Sequence, residues 1–207
     1  MKRRDGDNQG ELFGGPPTAN GASARTSGAA RRLPVPADIG PLGREGRIRV
    51  GTSGYSFVDW VGPFYPAGTK RGAMLEEYVH HFDVVEINST YYRVPTASMF
   101  ERMNEKTPEG FEFIVKLFRG MTHEITDDSE MYRHFTGAVE PLVDAGKFGG
   151  YLAQFPWKFK NSKSAKAHIG ELRKKLGEAP LFVEFRHDSW IEDKTFGFLR
   201  DLGVGYC

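Results

Sequence analysis

The sequence predicts an α/β protein: a TIM-type parallel β/α barrel with about five and a half of its eight βα units present, preceded by a disordered tail. Three observations predict it. From Gly46 onward, short β-rich runs alternate with helical stretches in strict order, which calls for parallel strands joined by right-handed crossovers. Gly146, Gly149, Gly177 and Gly203 fall near helix ends, where a left-handed cap favours glycine. Charged and amide side chains sit two to a strand near the carboxyl ends of the strands.

Residues 1–45 form the tail. They contain thirteen Gly and Pro residues and a single aromatic, Phe13, too little apolar surface to offset the entropy of ordering, so disorder is expected. Within it Gln9, Leu12 and Phe13 match the Gln-x-x-Leu-Phe peptides that dock on a DNA polymerase sliding clamp. Five residues carry little information, and a chance run in a tail is the favoured reading.

Residues 46–207 form the folded part. The expected strands are Arg47–Gly51, Val84–Asn88, Phe111–Leu117, Gly150–Phe155, Leu181–His187 and a start at Val204–Cys207. Helical stretches are expected at 71–82, 97–106, 129–145, 162–177 and 192–202. The turn after the first strand, Gly51-Thr-Ser-Gly-Tyr55, is neither a dinucleotide fingerprint nor a phosphate loop, nor does it fit a nucleophile elbow. Glu86 with Asn88, and Glu184 with Arg186, share a strand face at i, i+2, opposite Val85, Ile87, Val183 and Phe185. Such pairs suit the mouth of a barrel better than a sheet covered by helices on both sides.

Composition excludes several classes. The 207 residues are 39% hydrophobic and 27% charged, with a net charge of +1. The tail carries seven basic and five acidic residues and the remainder is nearly balanced, unlike a strongly basic nucleic-acid protein. The single cysteine, Cys207, precludes an intramolecular disulfide. Met1-Lys-Arg-Arg is followed by no apolar segment, and no run of about eighteen apolar residues exists, so a cytoplasmic protein without a membrane span is expected.

Barrel chemistry occurs where βα loops converge at the carboxyl ends of the strands. That rule singles out Glu86, Asn88, Lys116, Gln154, Glu184 and Arg186, with Tyr55, Thr90, Tyr91 and His123 from loops. Glu86 and Glu184 are candidates for acid and base, or each simply pairs with a cation such as Lys116 or Arg186. Lys116 could form a Schiff base beside Arg186, although a fixed positive charge that clamps an anion together with Arg186 is the favoured role. Asn88 and Gln154 would orient a substrate, with Tyr55, Thr90 and Tyr91 around it, or would merely link strands. His123 is either a proton carrier or a hydrogen-bonded loop histidine. Two carboxylates and one histidine beside two cations make a poor divalent-metal set, so no metal and no cofactor are expected. Trp157, Lys158, Phe159 and Lys160 interleave aromatic and basic residues, as a nucleic-acid contact would. The favoured alternative is a solvated loop whose aromatics pack on the barrel.

Several segments carry a family resemblance. They are residues 50–55 (Val50-Gly-Thr-Ser-Gly-Tyr55), 59–66 (Asp59-Trp-Val-Gly-Pro-Phe-Tyr-Pro66) and 85–95 (Val85 to Pro95). Phe113-Ile-Val-Lys116, Thr122-His123, Gln154-Phe-Pro156 and Val183-Glu-Phe-Arg-His187 with Trp190 follow in order. In these the chain resembles the YecE-like family, domain of unknown function 72. The resemblance implies a barrel of uncharacterised activity. It also implies further strands after the equivalent of Cys207, bearing an Asp, an Arg-x-His and an Asn-rich end, so an incomplete barrel is expected here.

Three functions follow as expectations: an enzyme using general acid/base chemistry, without tightly bound metal, on an anionic small molecule that can bear phosphate; a nucleic-acid processing or binding protein; and an inactive fragment. Deleting residues 1–45 should leave the thermal midpoint measured by circular dichroism unchanged. A fall of about 4 °C or more, the signature of roughly 1 kcal/mol in a domain this size, would contradict the disordered tail.

Overall fold

The computed structural model describes residues 48–207; the tail, with Gln9, Leu12 and Phe13, and Arg47 lie outside the described residues. Six strands follow one another in sequence order across a single sheet: β1 (Gly51–Ser53), β2 (Val84–Ile87), β3 (Glu112–Lys116), β4 (Phe148–Gln154), β5 (Leu181–Glu184) and β6 (Gly205–Tyr206). All five pairings are parallel. Between them run α1 (Met74–Tyr78), α2 (Ser89–Tyr92), α3 (Ala97–Glu105), α4 (Arg119–Thr122), α5 (Ser129–Asp144), α6 (Lys163–Leu176) and α7 (Asp193–Asp201). β1 and β6 are the two edges of the sheet, and no ladder joins them among the described residues.

One face of the sheet is covered by the helices. Val85, Val115, Ala153 and Val183 point to it and are fully buried, packed in one cluster with Leu75, Phe100, Phe135, Val139, Ile169 and Leu172. The registers place Glu86 beside Ser53 and Ile114, Lys116 beside Leu152, and Gln154 beside Glu184 on the opposite face. The two long helices begin on side-chain caps: Asp128 accepts from the Glu130 and Met131 amides, and Ser162 from the Ala165 amide, each at 3.0–3.1 Å. A register shift between β3 and β4 is accommodated at Gly150, whose φ of 138° few side chains could adopt.

The first strand departs from expectation. It starts at Gly51 rather than Arg47, and Ile48 and Val50 are each 60% exposed. Those residues lie outside the ladder with β2, and among the described residues no strand pairs with β1 on its other side to bury them. The helix expected at 71–82 shrinks to a 3-10 turn followed by the five residues of α1. Its last turn loosens because Tyr78 is already held at the sheet, leaving little chain before Val84 opens β2.

Tyr78 is the main fastening of the β1 edge. Its hydroxyl lies between two strands, accepting from the Thr52 amide at 2.9 Å and donating to the Val84 carbonyl at 3.0 Å. Burial of the ring raises the phenol above its ordinary range, so the hydroxyl keeps its proton for that carbonyl. Gly51 belongs to the same junction, because a Cβ there would run into the Val84 carbonyl oxygen. Below it, Arg49 donates to the Gly110 carbonyl at 2.9 Å and pairs with Glu112 at 2.8 Å, tying the chain before β1 to β3. On the helix side the Lys147 ammonium, also buried, donates to the Asn104 and Thr107 carbonyls at 2.9 and 2.7 Å and so closes the end of α3.

Tyr78→Phe should therefore cost about 1–3 kcal/mol in chemical denaturation, the cost of leaving a buried amide and carbonyl without partners. A loss below about 0.5 kcal/mol would mean that β1 closes onto β2 without the hydroxyl.

Candidate functional site

Polar side chains gather where β2, β3, β4 and β5 end, on the face away from the helices, in two hydrogen-bonded groups. The first sits at the β1–β2 edge. The Ser53 hydroxyl donates to Glu86 Oε1 at 2.9 Å, and the Asn88 amide donates to the Ser53 hydroxyl oxygen. Ser53 was not anticipated from sequence, because its place directly opposite Glu86 is set by the register of β1 on β2. No donor among the described residues reaches the second carboxylate oxygen of Glu86.

The second group crosses three strands. Lys116 Nζ donates to Gln154 Oε1 at 2.9 Å, Gln154 Nε2 donates to Glu184 Oε2 at 2.7 Å, and Arg186 Nε pairs with Glu184 Oε1 at 2.7 Å. Chemistry fixes the amide's direction, since an ammonium can only donate and a carboxylate accepts. Lys116 and Arg186 are therefore not side by side as the sequence reading expected. β4 runs between β3 and β5, so its glutamine separates the two cations and Arg186 closes on the carboxylate two residues before it.

The loop residues divide. Thr90 is 1% exposed and its hydroxyl faces two carbonyl oxygens, Ile87 at 2.9 Å and Lys116 at 2.6 Å, so it clips the ends of β2 and β3 together and does not open to the mouth. Tyr91 lies between Lys116 and His123, with the ammonium 5.5 Å from its ring centroid and the imidazole edge-on at 4.9 Å. The side chain of His123 is anchored through Nδ1, 2.9 Å from the Thr122 hydroxyl. Burial, then the charges of Lys116 and Lys158, lower the His123 pKa from its ordinary value, against a smaller opposing pull from Glu124. Tyr55 leans on Tyr78 at 6.2 Å, its carbonyl accepts from the Tyr65 hydroxyl at 2.6 Å, and burial raises its phenol.

The loop after β4 parts company with its sequence pattern. Phe159 is 8% exposed and belongs to a stack with Phe155, Phe185 and Trp190, whose indole N–H donates to the Phe159 carbonyl at 2.7 Å. Trp157 is 62% exposed and leans on the His187 ring at 4.6 Å. The alternation of aromatic and basic residues thus conceals one core residue and one surface ring.

Cys207 follows β6 and was not singled out from sequence. Burial raises its thiol, and so do the carboxylates of Glu184 and Glu86. Among the described residues, no three His, Cys, Asp or Glu side chains form a metal-binding group, and no helix is long and apolar enough to cross a membrane.

Known proteins resemble this chain in sequence and in fold. The family model described as protein of unknown function DUF72 matches residues 49–207. The UPF0759 protein YunF of Bacillus subtilis is 32% identical over 166 residues, covering 75% of this chain and 58% of YunF. The UPF0759 protein YecE of Escherichia coli is 31% identical over 115 residues, 55% of this chain and 41% of YecE. Among crystal structures, a DUF72 family protein from Thermotoga maritima is 40% identical with a TM-score of 0.68, covering 76% of this chain and 63% of that one. One from Enterococcus faecalis, 23% identical, shares the fold with a TM-score of 0.66, covering 76% of this chain and 59% of its own. The chain thus spans less than two thirds of each of these relatives. With its matched segment running through every strand of the sheet and every polar strand end, this chain belongs to the DUF72 family.

Proposed function

We propose that the six strands are an arc of a TIM-type β/α barrel, and that their carboxyl ends carry the anion-holding part of an acid/base active site acting on a small anionic molecule. The observation that carries the reading is the row Lys116–Gln154–Glu184–Arg186. Both oxygens of Glu184 already accept, so it serves as the fixed end of the row. One proton of the Lys116 ammonium is engaged by Gln154, which leaves two to meet an incoming oxyanion. Glu86, with one oxygen held by Ser53 and the other open, is the carboxylate placed for proton transfer, and Asn88 orients it through Ser53. The chemistry asks nothing of a tightly bound metal: the charge that forms on the substrate is met by Lys116 and the proton is moved by Glu86.

His123 supports the same reading. Burial lowers its pKa, the charges of Lys116 and Lys158 lower it further, and Glu124 opposes them only in part. An anion seated among them would cancel their repulsion. The expected outcome is a His123 pKa below its ordinary value in the free protein that rises when inorganic phosphate binds, read from the ring protons in an NMR pH titration. Lys116→Met should raise the His123 pKa in the free protein and weaken phosphate binding about tenfold or more, since a charge-assisted hydrogen bond is worth about 1.5–3 kcal/mol. A His123 titration indifferent both to phosphate and to Lys116→Met would overturn the reading.

A further inference from the structure

An exposed tryptophan is a cost the fold would avoid unless something covers it, and Trp157 is 62% exposed. One side of its indole rests on His187 at 4.6 Å. That imidazole is itself held: Nδ1 accepts from the Ser189 amide at 3.1 Å, and the Ser189 hydroxyl and the Asp188 carboxylate lie 3.0 and 2.9 Å away. The loop carrying Trp157 is pinned on its far side as well. The Trp190 indole N–H donates to the Phe159 carbonyl, the Asn161 amide donates to the Ser189 hydroxyl at 3.0 Å, and Asn161 Nδ2 donates to Glu192 Oε1 at 2.8 Å. The result is an indole that touches one neighbouring ring at a tilt and is otherwise mostly exposed, on a loop pinned at its far end.

The loop that carries Trp157 begins directly after Gln154, the residue that holds Lys116 at the end of β4. Trp157 leans on His187 after β5, and the charge of Lys158 acts on His123 after β3. One short loop therefore offers a planar apolar surface and, one residue on, a cation that joins Lys116 and His123. We propose that the anion held by Lys116, His123 and Lys158 is the phosphate of a mononucleotide whose base stacks on the open face of Trp157; this rests on the anion-binding reading above and names its substrate class. The charges of both lysines act on one imidazole, Glu124 opposes them there, and Glu184 ends the row that begins at Lys116. That geometry fits one phosphate group and not the repeated phosphates of a strand, which need cations in series.

The test uses the 207-residue chain, with adenosine 5′-monophosphate, ribose 5-phosphate and a short oligothymidylate as probes, read by calorimetry and tryptophan fluorescence. Adenosine 5′-monophosphate should bind about tenfold or more tightly than ribose 5-phosphate, the advantage one stacked base supplies, and should quench part of the emission. Trp157→Ala should remove both the advantage and the quenching, leaving the two ligands equal, while Trp157→Phe keeps most of the advantage. Equal binding by the unsubstituted chain, or an advantage that survives Trp157→Ala, would overturn the stacking inference and leave the anion site standing. Binding of neither phosphate would overturn both. Oligothymidylate binding more tightly than the mononucleotide, with a steep dependence on salt, would replace the single nucleotide with a strand.

Discussion

Parallel pairing of β2, β3, β4 and β5 in fixed register decides which side chains can meet. Every second residue must turn to the helix side, where Val85, Val115, Ala153 and Val183 are apolar, because a buried charge without a partner would cost several kcal/mol. The remaining residues share the other face whether or not they suit one another. Glu184 beside Gln154 follows from the β4–β5 register, and Lys116 within reach of Gln154 from the β3–β4 register. Gln154 then settles the arrangement, since a side-chain amide is both acceptor and donor and can stand between a cation and an anion. Replacing it by a carboxylate or an ammonium would leave one neighbour opposed.

The face so formed carries charges of both signs. Burial raises the Cys207 thiol, and the carboxylates of Glu184 and Glu86 add to that. Burial lowers the His123 imidazole, and the ammonium groups of Lys116 and Lys158 add to that. Tyr91 stands between Lys116 and His123, with the ammonium 5.5 Å from its ring centroid and the imidazole T-shaped to it at 4.9 Å. In strand order Lys116 on β3 lies between Glu86 on β2 and Glu184 on β5, so the cation has a carboxylate to either side.

Much of this was legible in the sequence, and what was not has physical causes. The order of strands and helices and the faces of β2 and β5 follow from period-2 and period-3.6 patterns, which local apolar spacing reports directly. The position of β1 does not. Ile48 and Val50 look like strand interior, but a strand exists only where a partner's ladder meets it, and that begins at Gly51. The short helices α2 and α4 escaped notice because four residues show no period, yet they set Thr90 and Tyr91 against Lys116 and carry the chain to His123. Pairing across strands was the hardest part: sequence shows that Arg186 and Lys116 are cations near strand ends, but only the strand order puts Gln154 between them. Phe159 and Trp157 show the same difficulty at a loop, where adjacent residues in one motif end up in the core and at the surface.

If Gln154 fixes Lys116 for an incoming anion, the two side chains must be coupled in binding it. A double-mutant cycle on phosphate affinity with Lys116→Met and Gln154→Met measures that coupling. Gln154→Met should weaken phosphate binding when Lys116 is present and change it little once Lys116 is gone, a coupling of about 1 kcal/mol or more. Strictly additive effects, with coupling near zero, would show that the row of hydrogen bonds is present but does not organise the site.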